Sequence, residues 1–234
     1  MLNPLVSVYI PTHNRVDLLM ERALPSVTNQ TYRDLEIIVV AHGCTDQTEN
    51  EVATYHFSHD WRVRCKSIPR VLTYPPTLET HWFAGRVAAS NSGLEECTGD
   101  WIATIDDDDV WHPDLISSLL SFANEQAFDF VSAAASSPDG VLEPYDVDGV
   151  KVGSLQTWLY RSKLKSFKFN PDCWQNDHNR VCDTDLQQQF RDAGVKMGFL
   201  DRVLCDILPR PGDSEIGSRA AKADEQKYLD HLAF

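Results

Sequence analysis

The sequence predicts one α/β domain, residues 1–234, built on a mostly parallel sheet with helices on both faces. Two observations carry this expectation. The chain has 234 residues, 42% hydrophobic and 24% charged, which is enough apolar material for a core at a length where one core still suffices. In its first half, short apolar runs alternate with helical patterns. That alternation is the signature of βαβ units, whose parallel strands are covered by helices.

The elements follow in order. Val6–Ile10 reads as the first strand, stopped by Pro11. A helical pattern comes next, with Val16, Met20, Ala23 and Val27 on one face; Pro25 is expected to kink it one turn before its end. Leu35–Val40 is the cleanest buried strand. Gly43 turns it into Thr45 and Asp46, either of which can cap a helix running to about His56. Arg86–Cys97 is helical, with Gly99 as its stop. Trp101–Ile105 is a strand that runs directly into Asp106, Asp107, Asp108 and Asp109. His112-Pro113-Asp114 opens the next helix. Residues 136–150, rich in Pro, Gly, Asp and Ser, read as a surface loop between hairpin-like strands. Asp183–Ala193 is a short helix ended by Gly194, with Leu186 and Phe190 on one face. Pro209–Gly217 is a loop before a last amphipathic helix. No repeat, low-complexity tract or interdomain linker interrupts the chain.

Composition excludes several functions. The 21 Lys+Arg against 35 Asp+Glu leave a net charge of −14, which speaks against nucleic acid as a partner, because phosphate backbones require a basic face. A polyphosphate ligand would need a metal ion or a local basic patch to offset this field. The six cysteines, Cys44, Cys65, Cys97, Cys173, Cys182 and Cys205, form no C-x-x-C pair, so neither a zinc ribbon nor a thioredoxin motif is present. They are expected as reduced, small core residues, disulfides in a secreted protein being the weaker alternative. Met1-Leu2-Asn3-Pro4 opens no signal peptide, and no apolar run approaches the roughly 20 residues of a membrane span. A cytoplasmic protein without a membrane span is the expectation.

Four consecutive aspartates at the C-terminal end of a strand are the strongest chemical signal. Open α/β sheets bind ligands outside those strand ends. Adjacent carboxylates repel and need a cation, protons or full solvation. Mg²⁺ or Mn²⁺ suits them, since such ions take one or two carboxylates together with substrate phosphate oxygens. The competing structural role is a solvated loop whose aspartates cap the helix near Pro113.

Ile105-Asp106-Asp107-Asp108-Asp109-Val110-Trp111-His112-Pro113-Asp114 resembles the L-D-x-D-D-x-W-x-P segment of family-2 glycosyltransferases of the GT-A fold. Other segments of that family stand in order: Val6 to Arg15, Leu24-Pro25-Ser26-Val27, Gln30-Thr31-Tyr32, Glu36 to Val40, Gly43 to Thr48, and Gly85 to Asn91, which is similar to a G-x-x-x-A-R-N helix start. The resemblance is dense over about residues 6–115. It implies a Rossmann-like GT-A domain with a nucleotide-sugar-binding half (about 1–115) and an acceptor-binding half (about 116–234). It also implies an inverting transferase that moves a sugar from a nucleotide-diphosphate sugar to a sugar, glycan or lipid-linked acceptor, as in polysaccharide biosynthesis. Pro11, Thr12, Asn14 and Arg15 would wrap the nucleotide. Asp106 and Asp108 would contact the donor, and Asp106, Asp108 and Asp109 would hold Mn²⁺ or Mg²⁺. Arg180 to Gly194 is similar to the family's E-D motif, which makes Asp183 the general base; the structural alternative is that it caps its helix.

Three positions depart from the family pattern. Ala41-His42 stands where the family has an acidic pair that helps recognise the base, so His42 becomes the candidate there. Ser90 replaces the arginine of A-R-N, and Arg86, one turn earlier, can reach a similar point. Cys182 replaces the glutamate beside Asp183. The donor nucleotide is therefore left open. Trp82, Trp111, Trp158 and Trp174 are candidates for a stacked sugar or for the core, His112 and His178 for hydrogen-bonded or metal-binding histidines, and Arg210 for a loop closing over the diphosphate. Two further readings compete: a non-catalytic nucleotide-sugar-binding subunit of the same fold, and a haloacid-dehalogenase-type phosphohydrolase, because Asp106-x-Asp108-x-Val110 also fits D-x-D-x-[TV].

Overall fold

The computed structural model describes residues 3–147, 149–177 and 180–209. Arg210, His178 and the anticipated last helix lie outside the described residues. In chain order the elements are β1 (Val6–Thr12), α1 (Val16–Leu18), α2 (Leu24–Thr28), β2 (Leu35–His42), α3 (Thr48–Ser58), β3 (Val63–Ile68), α4 (Leu78–Ala84), α5 (Val87–Glu96), β4 (Trp101–Thr104), β5 (Val110–Trp111), α6 (Leu115–Gln126), β6 (Phe130–Ser137), β7 (Gly140–Val141), β8 (Tyr145–Val147), β9 (Val150–Val152), β10 (Leu159–Arg161), α7 (Cys182–Asp192) and β11 (Met197–Asp206).

A sheet ordered β3-β2-β1-β4-β10-β6-β11-β5 runs through the molecule. β3, β2, β1 and β4 are parallel, β10 is antiparallel to both β4 and β6, and β11 is parallel to β6. The register pairs Thr12 with Ala41, Tyr9 with Thr104 and His42 with Ile68. The C-terminal ends of β1, β2, β3 and β4 therefore finish along one sheet edge. The residues that follow them, 13–15, 43–44, 69–71 and 106–109, share that edge.

Both faces of the sheet are covered, because neighbouring residues of one strand point to opposite sides. Val8, Ile10, Ile37 and Val39 pack on one side with Leu24, Val52, Leu115 and Leu119. Tyr9, Ile38 and Val40 pack on the other with Val87, Leu94, Leu186 and Phe190. That two-sided burial explains why β2 reads as an unbroken apolar run.

The kink expected at Pro25 is a π turn over Leu19–Ala23 that joins α1 to α2. Pro25 lacks an N–H and crowds the carbonyl four residues back, and a widened turn relieves both conflicts. The N-cap of α3 is Gln47, without a side-chain cap bond, and Asp46, one residue earlier, serves the helix start instead: its Oδ1 accepts from the Thr48 N–H at 3.1 Å, and its Oδ2 accepts from Val16 N–H at 3.1 Å, at the start of α1. The stretch 136–150 holds β7, β8 and the loops between them. All six cysteines are free, and Cys97, Cys173, Cys182 and Cys205 are buried. No helix among the described residues is long and apolar enough to cross a membrane.

Candidate active site

A cleft of about 530 Å³ opens at the sheet edge where β1, β2 and β4 end. It brings together Pro11, Thr12, Arg15, His42, Arg86, Asp106 and Asp183, all singled out in the sequence. The first five come from the early βα units, and Asp183 from the first turn of α7. Leu155, Gln156, Val181 and Cys182 join it from the later half of the chain.

The four aspartates do not act alike. Asp106, Asp108 and Asp109 each offer one carboxylate oxygen, and these atoms lie within 4.8 Å of one another. Asp107 lines the cleft with Asp106, whereas Asp108 and Asp109 do not, and it is held apart from that trio: Thr12 Oγ1 donates to its Oδ2 at 2.7 Å and Arg15 Nη1 to its Oδ1 at 3.1 Å. Burial pushes the Asp107 carboxyl up to about 6, against the pull of Arg15 and with the help of Asp108. Arg15 also reaches Asp108 at 3.7 Å. Arg22, from the π turn, donates to the Asp108 carbonyl at 3.0 Å, and Leu208 N–H donates to Asp109 Oδ1 at 3.2 Å. The loop is thus clamped from three sides. The oxygen set suits a hard divalent cation: all donors are carboxylate, and two of the three residues are buried where their mutual repulsion is poorly screened.

Arg86 is more brace than free cation. Its Nη1 pairs with Asp106 Oδ1 at 2.8 Å, Nη2 donates to Thr104 Oγ1 at 3.2 Å, and Nε donates to Ser90 Oγ at 3.1 Å. Ser90, which stands where the resembled A-R-N motif has its arginine, thus accepts from the arginine one turn earlier. Asp106 Oδ2 accepts from Gln156 Nε2 at 2.8 Å, which ties the first aspartate to the second half of the chain.

Asp183 sits in the first turn of α7, which begins one residue earlier than the sequence suggested, at Cys182. Its Oδ1 accepts from the Thr184 N–H at 2.9 Å, so it satisfies one orphan donor of the helix while it lines the cleft. Burial raises its carboxyl above the usual carboxylate range, opposed by Arg86. Cys182 is buried and its thiol is pushed well above its ordinary value by that burial, so it adds no charge beside Asp183. Asp185 faces elsewhere: its Oδ1 accepts from Asn176 at 2.9 Å and its Oδ2 from Gln189 at 2.8 Å.

Some candidates are placed differently from their expectation. Asn14 does not line the cleft; in a left-handed conformation (φ 52°), its Oδ1 accepts from the N–H groups of Thr45 and Asp46, pinning the loop after β2. The His42 ring is occupied by Val71 N–H and Arg70. Of the four tryptophans, Trp82 lines the cleft, Trp111 and Trp158 are core, and Trp174 packs against the core. His112 bonds Asp206 Oδ2 at 3.1 Å. Sequence reasoning missed His13, Arg70, His81 and Gln156, which also line the cleft. The signal for Arg70 was its place directly after a strand that had gone unread.

The model of the family described as "Glycosyl transferase family 2" matches residues 7–73 and 78–186. The chain is 32% identical over 122 residues to a GalNAc(5)-diNAcBac-PP-undecaprenol beta-1,3-glucosyltransferase of Campylobacter jejuni, a match covering 52% of this chain and 35% of that protein. It spans less than half the length of the curated relatives it matches. Among solved structures, a mannosyltransferase from Pyrobaculum calidifontis, in complex with GDP-Man and Mn²⁺, superposes with a TM-score of 0.72 at 16% identity, covering 100% of this chain and 65% of that one. S. aureus TarS in complex with UDP-GlcNAc gives 0.63 at 16% identity, covering 96% and 66%.

Proposed function

The chain belongs to glycosyl transferase family 2 and carries the GT-A fold, and we propose on that premise that it moves a sugar from a nucleotide-diphosphate sugar to an acceptor hydroxyl, with inversion and with Mn²⁺ or Mg²⁺. The observation that carries this reading is the meeting in one cleft of Asp106, from the loop after β4, and Asp183, from α7, with the buried Asp108 and Asp109 each offering a carboxylate oxygen within 4.8 Å of the Asp106 one.

Asp106, Asp108 and Asp109 are the residues to hold the cation. When bound there, it supplies positive charge to the departing nucleoside diphosphate. Arg15, which lines the cleft between Asp107 and Asp108, adds a fixed cation at the same end. Asp183 is the general base. Its carboxylate takes the proton of the acceptor hydroxyl as that oxygen bonds to the anomeric carbon and the bond from that carbon to the diphosphate breaks. Burial supports this role, because a carboxyl raised above its ordinary range is a stronger proton acceptor once ionised. Residues 155–156 and 181–183 bring the second half of the chain to the cleft, which supports assigning the acceptor, a sugar, glycan or lipid-linked sugar, to that half. Polysaccharide biosynthesis in the cytoplasm is the setting that fits. The acidic trio and Asp183 weigh against a purely binding subunit, and family membership removes the phosphohydrolase reading.

Thermal unfolding tests the metal role. With a nucleoside diphosphate at about 100 times its Kd, the folded state gains about 2.7 kcal/mol, or about 5–11 °C for a chain of this size. That rise is expected with Mn²⁺ and should vanish in EDTA; equal stabilisation in EDTA would remove the aspartates from metal binding.

A further inference from the structure

The aspartates and Asp183 leave one wall of the cleft unexplained. His13, His42, Arg70 and His81 line it together. They follow or end β1, β2 and β3, or belong to α4. Arg70 stands three strands from the β4 end in the sheet order, about 14 Å along the edge at the usual strand spacing. A diphosphate held at the aspartates leaves that stretch for ribose and base.

Hydrogen bonding at His42 defines what this wall offers. The Val71 N–H donates to His42 Nε2 at 3.0 Å. A neutral imidazole has one lone pair to give, and it is claimed by a donor already present on the wall. Burial and the charge of Arg70 keep the ring neutral by lowering its pKa to about 4. Arg70 Nη1 lies 3.1 Å from the ring's Nδ1. A guanidinium only donates and one lone pair cannot serve both Val71 and Arg70, so His42 satisfies at most one N–H of Arg70, and the rest of the guanidinium fork has no partner among the described residues. It forms no ion pair among the described residues. Asp46, whose charge reaches His13, is turned to the N–H groups of Val16 and Thr48.

The backbone under Arg70 is held firmly. Gly43 N–H donates to Ile68 O at 2.8 Å. Gly43 has φ +61°, and a Cβ there would lie 2.5 Å from Arg70 Cβ, so only glycine lets the two loops close. The guanidinium thus stands on a fixed ledge at the cleft wall, with His42 as its one hydrogen-bonding side-chain neighbour among the described residues and most of its N–H groups open to an acceptor.

We infer that Arg70 reads the nucleobase of the donor and selects guanine, whose O6 and N7 offer two adjacent acceptors to a guanidinium fork. This rests on the reading that a nucleoside diphosphate binds in the cleft. Adenine places its N6 amino donor against the same fork, while uracil and thymine offer a single O4 on that edge. His42, with its lone pair already taken, adds a donor and no acceptor. The wall therefore suits a base through its acceptors, not through an N–H.

Calorimetric titration of the full chain in Mn²⁺ with the diphosphates of guanosine, inosine, adenosine, uridine and thymidine tests this. Guanosine and inosine diphosphates, which share O6 and N7, should bind within about threefold of each other and about 10–100-fold tighter than the other three. Arg70→Met, and Arg70→Lys, which keeps the charge but not the fork, should erase the preference for guanosine over adenosine while leaving adenosine diphosphate within about threefold. Uridine or adenosine diphosphate binding as tightly as guanosine diphosphate would overturn the assignment. So would a loss confined to inosine diphosphate, which would show that the 2-amino group is read, or an equal loss for every diphosphate on changing Arg70. Failure of all five to bind would overturn the donor-binding reading as well, whereas base-blind binding overturns only the role of Arg70.

Discussion

Replacing Arg86 with methionine keeps an unbranched apolar stem and removes the guanidinium with its charge. In the native protein the guanidinium pairs with Asp106 at 2.8 Å, with the two side chains 18% and 19% exposed, and also donates to Ser90 and Thr104. Removing one partner of a buried pair typically costs about 3–5 kcal/mol. Asp106 keeps the bond from Gln156 and borders the cleft, which places the expected loss at the lower end, about 3 kcal/mol. For a chain of this size that is about 6–12 °C in Tm. Urea unfolding of the variant, of Asp106→Asn and of the double variant should give a coupling of about 1–3 kcal/mol between the two positions. A loss below about 1 kcal/mol, with nucleoside diphosphate affinity falling instead, would refute the bracing role and make Arg86 a ligand contact.

Two further outcomes follow from the packing and the charges. His42 is buried with its folded pKa near 4, below its ordinary value of 6.5. The unfolded chain therefore binds the extra proton first, and this group's contribution, about 2–3 kcal/mol, is present above pH 6.5 and lost as pH falls towards 4; urea unfolding of His42→Gln across that range should lack this component of the acid loss. Gly93 in α5 abuts the buried Tyr9 ring, which a Cβ would approach to 2.8 Å; Gly93→Ala should lower stability by about 1–3 kcal/mol in the same assay, and an unchanged Tm would show that the ring moves freely.

Much of the site was legible in the sequence because its parts sit at strand ends marked by abrupt changes of residue type. β1 and β2 are buried on both faces, so they read as apolar runs, and the aspartates follow β4 after the single buried Ile105. The Asp run could not show its own division of labour: that Asp107 serves Thr12 and Arg15 while its neighbours converge depends on the turn of the loop. β3 was missed because it is an edge strand carrying Arg64, Lys66 and Ser67, with one fully buried apolar residue, Val63. With β3 unread, Arg70 had no strand end to belong to. β10 is three residues long and owes its place in the sheet to β4 and β6 on either side, not to any local pattern. β11 carries Asp201 and Arg202 at register shifts against β6, which breaks the alternation that a sequence reading needs. Asp183 was found through its motif, but its double use, holding the Thr184 N–H while lining the cleft, is a matter of geometry.

The most direct test of the account compares Asp183→Asn with Asp185→Asn in one assay, the release of nucleoside diphosphate from nucleotide sugars in Mn²⁺ per folded molecule. Asp183 lines the cleft, while Asp185, two residues on, is bonded to Asn176 and Gln189 away from it. General-base catalysis contributes about 10²–10⁴-fold, so Asp183→Asn should lose activity by that order, with nucleoside diphosphate binding intact and Tm nearly unchanged. Asp185→Asn should keep its turnover. Full activity in Asp183→Asn, or its abolition by Asp185→Asn alone, would contradict the account.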